Sequence, residues 1–199
     1  RLGLIHSAVF AGFAPPSLAT RIDDAEAEVI ITCDAGLRGG KLVPLKKLVD
    51  EAVALAQTRV RHVLVINRGL DPAAAMHAPR DLDYATVSAA HRGETVPCEW
   101  LESSEISYLL YTSGTGGAPR GVMQHHGAIL CNVSGAAEVL IEDFGISDER
   151  FLSFLPLSHA YEHSGGQYLP IGVGAEIFYS EGLEKLASNI EETRPTIMV

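Results

Sequence analysis

Cysteine and long apolar runs are scarce in this chain, and each scarcity argues against a class of protein. The three cysteines, Cys33, Cys98 and Cys131, are widely spaced and odd in number, which argues against a disulfide framework or a cysteine-based metal site. No apolar run approaches the roughly 20 residues that a membrane-spanning helix requires, and no signal peptide is recognisable. These features predict a globular, cytoplasmic protein.

Basic residues are also scarce, above all towards the end of the chain. The formal net charge is -10, and residues 121–199 contain 3 basic side chains against 11 acidic ones. A nucleic-acid partner requires a basic face that neutralises phosphates. The charge pattern therefore predicts no nucleic-acid partner, and the acidic excess is interpreted as a solvated surface.

Apolar residues make up 47% of the 199 residues, enough to bury a core, and they alternate between strand-like and helix-like patterns. Val29–Cys33 is apolar without alternation, which is typical of a strand buried on both faces. The alternation predicts an α/β fold with parallel strands flanked by helices and right-handed crossovers. The predicted strands are 4–10, 29–33, 63–66, 106–111, 176–179 and 196–199, and the predicted helices are 16–26, 45–56, 83–90, 126–140 and 183–190.

The most informative segment runs from Tyr111 to Val122 and reads Tyr-Thr-Ser-Gly-Thr-Gly-Gly-Ala-Pro-Arg-Gly-Val. Glycines allow a backbone to fold tightly and to turn its N–H groups towards an anion. Hydroxyl groups and a guanidinium add donors that suit phosphate oxygens. The composition fits a polyphosphate-binding loop, although a flexible turn has the same composition and stays open as an alternative.

This segment resembles the phosphate-binding signature of the AMP-forming acyl-CoA synthetases, a branch of the adenylate-forming superfamily. The signature reads Tyr-Thr-Ser-Gly-Thr-Thr-Gly-x-Pro-Lys-Gly-Val, and the chain departs from it at Gly116, where threonine is usual, and at Arg120, where lysine is usual. It is not a Walker A loop, because no Gly-Lys-Ser/Thr follows at the required spacing. The resemblance implies that the β- and γ-phosphates of ATP are held by Thr112, Ser113, Gly114, Thr115, Gly116, Gly117 and Arg120.

The resemblance extends along the chain but changes its subfamily at this loop. Residues 1–123 resemble acetyl- and propionyl-CoA synthetases, in stretches such as Ile5–Phe13 and Pro97–Glu102. Residues from about 127 to 199 resemble long-chain fatty acyl-CoA synthetases, in stretches such as Phe151–Glu162 and Leu183–Glu192. The expectation is an incomplete N-terminal AMP-binding domain of a longer protein, short-chain-like over 1–123 and long-chain-like over 124–199, without the small C-terminal domain.

The family reaction implied by the resemblance has two steps and uses ATP, Mg²⁺ and CoA. A carboxylate attacks the α-phosphate to give an acyl-adenylate and pyrophosphate, and the thiol of CoA then displaces AMP. The acyl chain length stays open between acetate or propionate and a long-chain fatty acid, with the long chain slightly favoured. A long-chain substrate would also allow peripheral contact with a membrane.

Two further sites follow from the resemblance. His159 occupies the position where the family places a histidine or aromatic residue beside the α-phosphate, which implies a catalytic role in gating the acyl carboxylate; a packed core histidine is the alternative. Arg38, Gly39, Gly40 and Lys41 match a segment that contacts the nucleotide end of CoA in acetyl-CoA synthetases. Two cations around two glycines suit a phosphate, and a solvated turn is the equal alternative.

Two rival interpretations remain. His159, Glu162 and His163 satisfy the H-x-x-E-H motif of inverted zinc metallopeptidases, in which the histidines bind zinc and the glutamate is the general base. The motif fixes only three residues, so the ligase interpretation is preferred to the zinc interpretation. The other rival is a catalytically incompetent fragment, since the family's adenine-binding elements and adenylation lysine are not recognisable in this sequence.

Overall fold

The computed structural model describes residues 2–112 and 120–199, and the chain divides into two compact units. One unit is Ala11–Val96, and the other combines Arg1–Phe10 with Pro97–Val199. Each unit has its own sheets and its own packing.

The Ala11–Val96 unit is a small parallel sheet with helices packed on it. Its elements are α1 Pro15–Asp24, β1 Val29–Cys33, β2 Gly36–Arg38, β3 Lys41–Val43, α2 Leu45–Leu55, β4 His62–Ile66, β5 Asp81–Asp83 and α3 Tyr84–Ala90. Strands β1, β4 and β5 pair in that order and in parallel. The core is formed where α1 and α2 cover this sheet, and its buried members are Ala19, Ile22, Val49, Ala52, Val60, Val63 and Val65.

The helices of this unit follow their local sequence. Helix α1 has proline in its first turn, where the missing N–H costs nothing, and α2 presents Val49 and Ala52 to the core at helical spacing. The prediction for β1 was half wrong. Val29–Cys33 is a strand, but Val29 is 58% exposed and Ile31 is 66% exposed, so within this structure one face of β1 is open.

Asp34, directly after β1, anchors the loop that follows β4. Its buried carboxylate accepts hydrogen bonds from the backbone amides of Arg68, Leu70 and Asp71, at 2.9, 2.7 and 3.0 Å. Burial of Asp34 favours a higher pKa, but the amides that face the carboxylate outweigh it and hold the pKa well below the ordinary 3.8. The charged form of Asp34 is therefore the one that holds the loop.

Replacement of Asp34 by asparagine is expected to accelerate hydrogen exchange at the amides of Arg68, Leu70 and Asp71, because one charged acceptor is lost. In the wild type this protection should be complete above the ordinary pKa of 3.8 and should be lost as the pH falls towards the lower pKa of the folded state. Hydrogen-exchange mass spectrometry across this pH range measures both effects. The exposed Glu51→Gln is the matched control, and equal exchange in both variants would contradict the anchoring role.

A buried ionic network joins α2 to β5. The Lys46 side chain is fully buried, and its Nζ lies 2.6 Å from Asp50 Oδ2 and 2.8 Å from Asp81 Oδ2. Arg80 pairs with the other oxygen of each carboxylate. Burial favours a higher pKa for Asp81, but the hydrogen bonds from Arg80 and Lys46 outweigh it and hold the pKa well below its ordinary value. Four charges thus neutralise one another inside the unit.

The second unit contains an antiparallel hairpin and a parallel three-stranded sheet. Its elements are β6 Ile106–Thr112, β7 Arg120–His125, α4 His126–Phe144, β8 Arg150–Ser153, a π-helix Glu162–Tyr168, α5 Leu169–Val173, β9 Glu176–Tyr179, a 3₁₀ turn Leu183–Lys185, α6 Leu186–Thr193 and β10 Ile197–Met198. Strands β10, β8 and β9 pair in parallel in that order, and β6 pairs with β7 in antiparallel register.

The predicted α/β class with parallel strands flanked by helices is confirmed, but one predicted strand is wrong. Residues 4–10 form only a single bridge, in which His6 pairs with Tyr108 of β6. The π-helix and the antiparallel strand β7 were not predicted. Among the residues that the structure describes, no helix is long and apolar enough to cross a bilayer.

Candidate functional site

The hairpin of β6 and β7 brings together the two ends of the predicted phosphate-binding segment. Thr112, the last residue of β6, pairs directly with Arg120, the first residue of β7, and both are exposed. Directly opposed residues in an antiparallel pair have Cβ atoms about 5 Å apart, so the two side chains start from neighbouring positions on the hairpin. The intervening residues predicted to bind phosphate, Ser113, Gly114, Thr115, Gly116 and Gly117, lie outside the described residues.

Strand β6 is held firmly behind this pair. Tyr108 and Leu110 point to the same side of β6 and are buried with Ile129 of α4, with Val133 and Tyr168 packed against them. Side chains at alternate positions of a strand share one face, so this packing fixes the direction of β6 up to Thr112. The base of the predicted phosphate loop is therefore attached to the core of its unit.

The second predicted site residue, His159, belongs to the same unit as the hairpin and lies on an exposed loop between β8 and the π-helix. Its backbone amide donates to the carbonyl of Pro156 at 2.8 Å, and its Nδ1 accepts from the amide of Tyr161 at 3.3 Å. The alternative of a packed core histidine is wrong for His159, because the side chain faces solvent. Its predicted role in gating a carboxylate stays a prediction.

The histidine that does lie in the core is His163, in the π-helix. Its ring is 6% exposed and lies with its centroid 4.3 Å from the Tyr108 ring and 5.0 Å from the Tyr168 ring. His6 completes the cluster, 5.6 Å from His163. Burial lowers the pKa of His163, against a raising effect of its hydrogen bond to Leu157, so the ring is uncharged at neutral pH. Sequence reasoning recognised this residue only as a member of the zinc motif.

The zinc interpretation of that motif gains no support from the geometry. His159 is exposed, whereas Glu162 is fully buried and accepts a hydrogen bond from the Ser153 hydroxyl. His163 uses its Nδ1 on the carbonyl of Leu157. Within residues 2–112 and 120–199, no group of three or more His, Cys, Asp or Glu side chains is arranged to hold a metal ion.

The predicted CoA-binding segment forms a β-turn between the two strands β2 and β3. Gly39 and Gly40 have φ of +54° and +73°, which is the requirement of a type I′ turn between β2 and β3. Arg38 and Lys41 pair across the hairpin, and both are exposed. The two glycines are thus explained by the turn, while contact of the two cations with CoA stays a prediction.

Comparison with known proteins gives a consistent set of relatives. The family model described as AMP-binding enzyme matches residues 1–199. The chain is 43% identical over 183 residues to propionate–CoA ligase of Salmonella typhimurium, which covers 92% of this chain and 29% of that protein.

Two further relatives are similar in kind. Acetyl-coenzyme A synthetase 1 of Saccharomyces cerevisiae is 49% identical over 126 residues, covering 63% of this chain and 17% of that protein. The 3-hydroxypropionyl-coenzyme A synthetase of Metallosphaera sedula is 36% identical over 206 residues, covering 98% of this chain and 30% of that protein. The chain thus spans about a third or less of the length of these relatives.

Proposed function

The chain belongs to the AMP-binding enzyme family, and we propose that its parent protein is an AMP-forming acid–CoA ligase. The proposed reaction activates a carboxylic acid with ATP to an acyl-adenylate and pyrophosphate, and then transfers the acyl group to CoA. ATP, Mg²⁺ and CoA are the proposed partners, together with the small-molecule acid. The proposal concerns the full-length parent, of which this chain carries part.

The observation that carries the proposal is the pairing of Thr112 with Arg120 at the base of a glycine-rich segment. A residue with a hydroxyl donor and a residue with a permanent cation thus occupy opposed, exposed positions at the ends of two strands, and both groups suit phosphate oxygens. Phosphoryl chemistry requires the protein mainly to position the reactants and to stabilise the charge on the phosphates. The anchored strand β6 supplies the first of these, and Arg120 supplies the second.

For the acid, the comparisons favour a short chain over the long chain that the sequence slightly favoured. The relatives that cover more than nine-tenths of this chain are named for propionate, 3-hydroxypropionate and acetate. The match to propionate–CoA ligase covers 92% of this chain, so it includes most of the residues after the phosphate loop as well as those before it. We therefore propose acetate, propionate or a hydroxylated analogue as substrate, without membrane contact.

The test is ATP–pyrophosphate exchange by the full-length parent with straight-chain acids of graded length. The proposal expects exchange that depends on the acid and is fastest with acids of two or three carbons. Exchange that is fastest with long-chain acids would overturn the substrate assignment and restore the long-chain prediction for residues 124–199. Acid-independent or absent exchange, in a protein that is folded, would contradict the ligase function itself.

Removal of the two cations of the β2–β3 hairpin tests the assignment of this segment to CoA binding. Arg38→Ala combined with Lys41→Ala is expected to raise the KM for CoA about 10²-fold or more, because each charge-assisted phosphate contact contributes about 1.5–3 kcal/mol. ATP–pyrophosphate exchange should be unchanged, since it precedes CoA. Arg92→Ala, which removes an exposed cation of the same unit, is the control. Equal damage to both half-reactions would indicate a structural role for the hairpin.

A further inference from the structure

We propose that His163 is a positioning residue that fixes the loop carrying His159, and so acts on the adenylation step without touching the substrate. The inference rests on the proposed function, because it assigns His163 a role through the gating histidine. It concerns the buried residue His163, to which the ligase interpretation otherwise assigns no role.

Two hydrogen bonds from His163 reach the loop, one at His159 and one at Leu157. The backbone amide of His163 donates to the carbonyl of His159 at 2.9 Å. The ring Nδ1 donates to the carbonyl of Leu157 at 2.9 Å, since a carbonyl can only accept. One residue therefore holds the backbone carbonyl of the gating residue and that of a residue two positions before it.

The ring of His163 is itself immobilised, which a positioning role requires. It is 6% exposed and packed between the rings of Tyr108 and Tyr168, at centroid distances of 4.3 and 5.0 Å. Donation from Nδ1 leaves the lone pair on Nε2, and this buried atom has no hydrogen-bond partner among the described residues. A buried acceptor without a partner costs free energy, so packing alone does not explain a histidine at this position.

The contact of His163 with Tyr108 also links the His159 loop to the strand that ends at Thr112. Tyr108 lies on β6, the strand that ends at Thr112, and His163 is the second residue of the π-helix that follows the His159 loop. Through this ring pair, one buried contact sets the loop of His159 against the strand that leads to the phosphate-binding pair. A π-helical turn is rare and often marks a functional site, and here it brings His163 into the core immediately after the exposed loop.

A leucine and an asparagine at position 163 separate positioning from packing. His163→Leu keeps an apolar side chain of similar bulk and removes the donor, whereas His163→Asn places an amide N–H near the position of Nδ1. In ATP–pyrophosphate exchange by the full-length parent, His163→Leu is expected to lower kcat/KM for the acid by about 10²-fold, the effect of a misplacement of about 1 Å. His163→Asn should recover most of that loss, with the KM for ATP little changed in both variants.

A double-mutant cycle with His159→Ala supplies the decisive readout. If His163 acts through His159, the double variant His159→Ala/His163→Leu should be no slower than His159→Ala alone. Additive losses, or failure of His163→Asn to recover activity, would overturn the positioning role while leaving the proposed function intact. Full activity of His159→Ala would instead refute the gating role of His159, and the inference with it.

Two further variants complete the test, one as a control and one as a substitute for His163→Leu. Tyr179→Phe removes the hydrogen bond from the Tyr179 hydroxyl to Gln167 Oε1, which ties the same π-helix to β9 but does not touch the His159 loop, and it should leave exchange unchanged. If His163→Leu does not fold, His163→Gln replaces it, since its amide reaches towards the position of Nε2 and not that of Nδ1. The same comparison with His163→Asn then applies.

Discussion

Replacement of Lys46 by alanine is expected to destabilise the Ala11–Val96 unit by about 3–5 kcal/mol, the usual cost of removing one partner of a buried ion pair. The cost arises from the groups left behind. Asp81 has a fully buried side chain, and it would lose the cation that lies 2.8 Å from its Oδ2. Arg80 alone cannot neutralise both Asp50 and Asp81, so a net negative charge would remain inside the unit.

Urea unfolding of the full-length parent, with hydrogen exchange of peptides from residues 11–96, measures this loss. Lys47→Ala is the matched control, because Lys47 is the next residue of α2 but is exposed. Lys46→Met keeps most of the volume and removes only the charge. If Lys46→Met is as stable as the wild type, cavity formation and not the stranded carboxylates explains the effect of alanine.

Replacement of Arg120 by alanine is expected to lower the rate of ATP–pyrophosphate exchange by about 10²–10³-fold, as loss of one preorganised donor to a developing charge does elsewhere. Arg120 begins β7 opposite Thr112, so the backbone pairing fixes the position from which its side chain extends. Alanine keeps that pairing, because it retains the backbone N–H and C=O. The loss should therefore reflect the missing guanidinium and not a displaced strand.

Arg120→Lys sharpens this test, because lysine is the usual residue of the family signature at this position. It should retain most of the exchange activity if a cation near the phosphates is what the site requires. Lys185→Ala, which removes an exposed cation of the same unit, should have no effect. Unchanged exchange in Arg120→Ala would refute the assignment of this segment to phosphate binding.

The predicted elements that proved right are those whose signal is local. The helical spacing of apolar residues and the proline in the first turn located α1 and α2 to within two residues of their ends. The glycine-rich motif between Thr112 and Arg120 is also a local signal, and its role in phosphate binding stays a prediction. The family follows from the same motif, and the family model over residues 1–199 confirms it.

The predictions that failed concern partners that are distant in sequence. Residues 4–10 have an apolar, strand-like composition, but only His6 finds a partner strand. Val29 and Ile31 suggested burial on both faces, yet exposure depends on what covers a sheet and not on the strand itself. The turn at Gly39–Gly40 depends in the same way on the pairing of β2 with β3, and contact of this segment with CoA stays a prediction.

The amino-acid sequence by itself determined the α/β class, the positions of α1 to α4 and the family, because periodicity and motif chemistry act between residues close along the chain. Only the tertiary structure decided which histidine of the pair is exposed and which is buried. His159 and His163 are four residues apart and chemically identical, and what separates them is packing against Tyr108 and Tyr168. Burial is a property of the assembled core, where surfaces distant in sequence meet, and no local pattern encodes it.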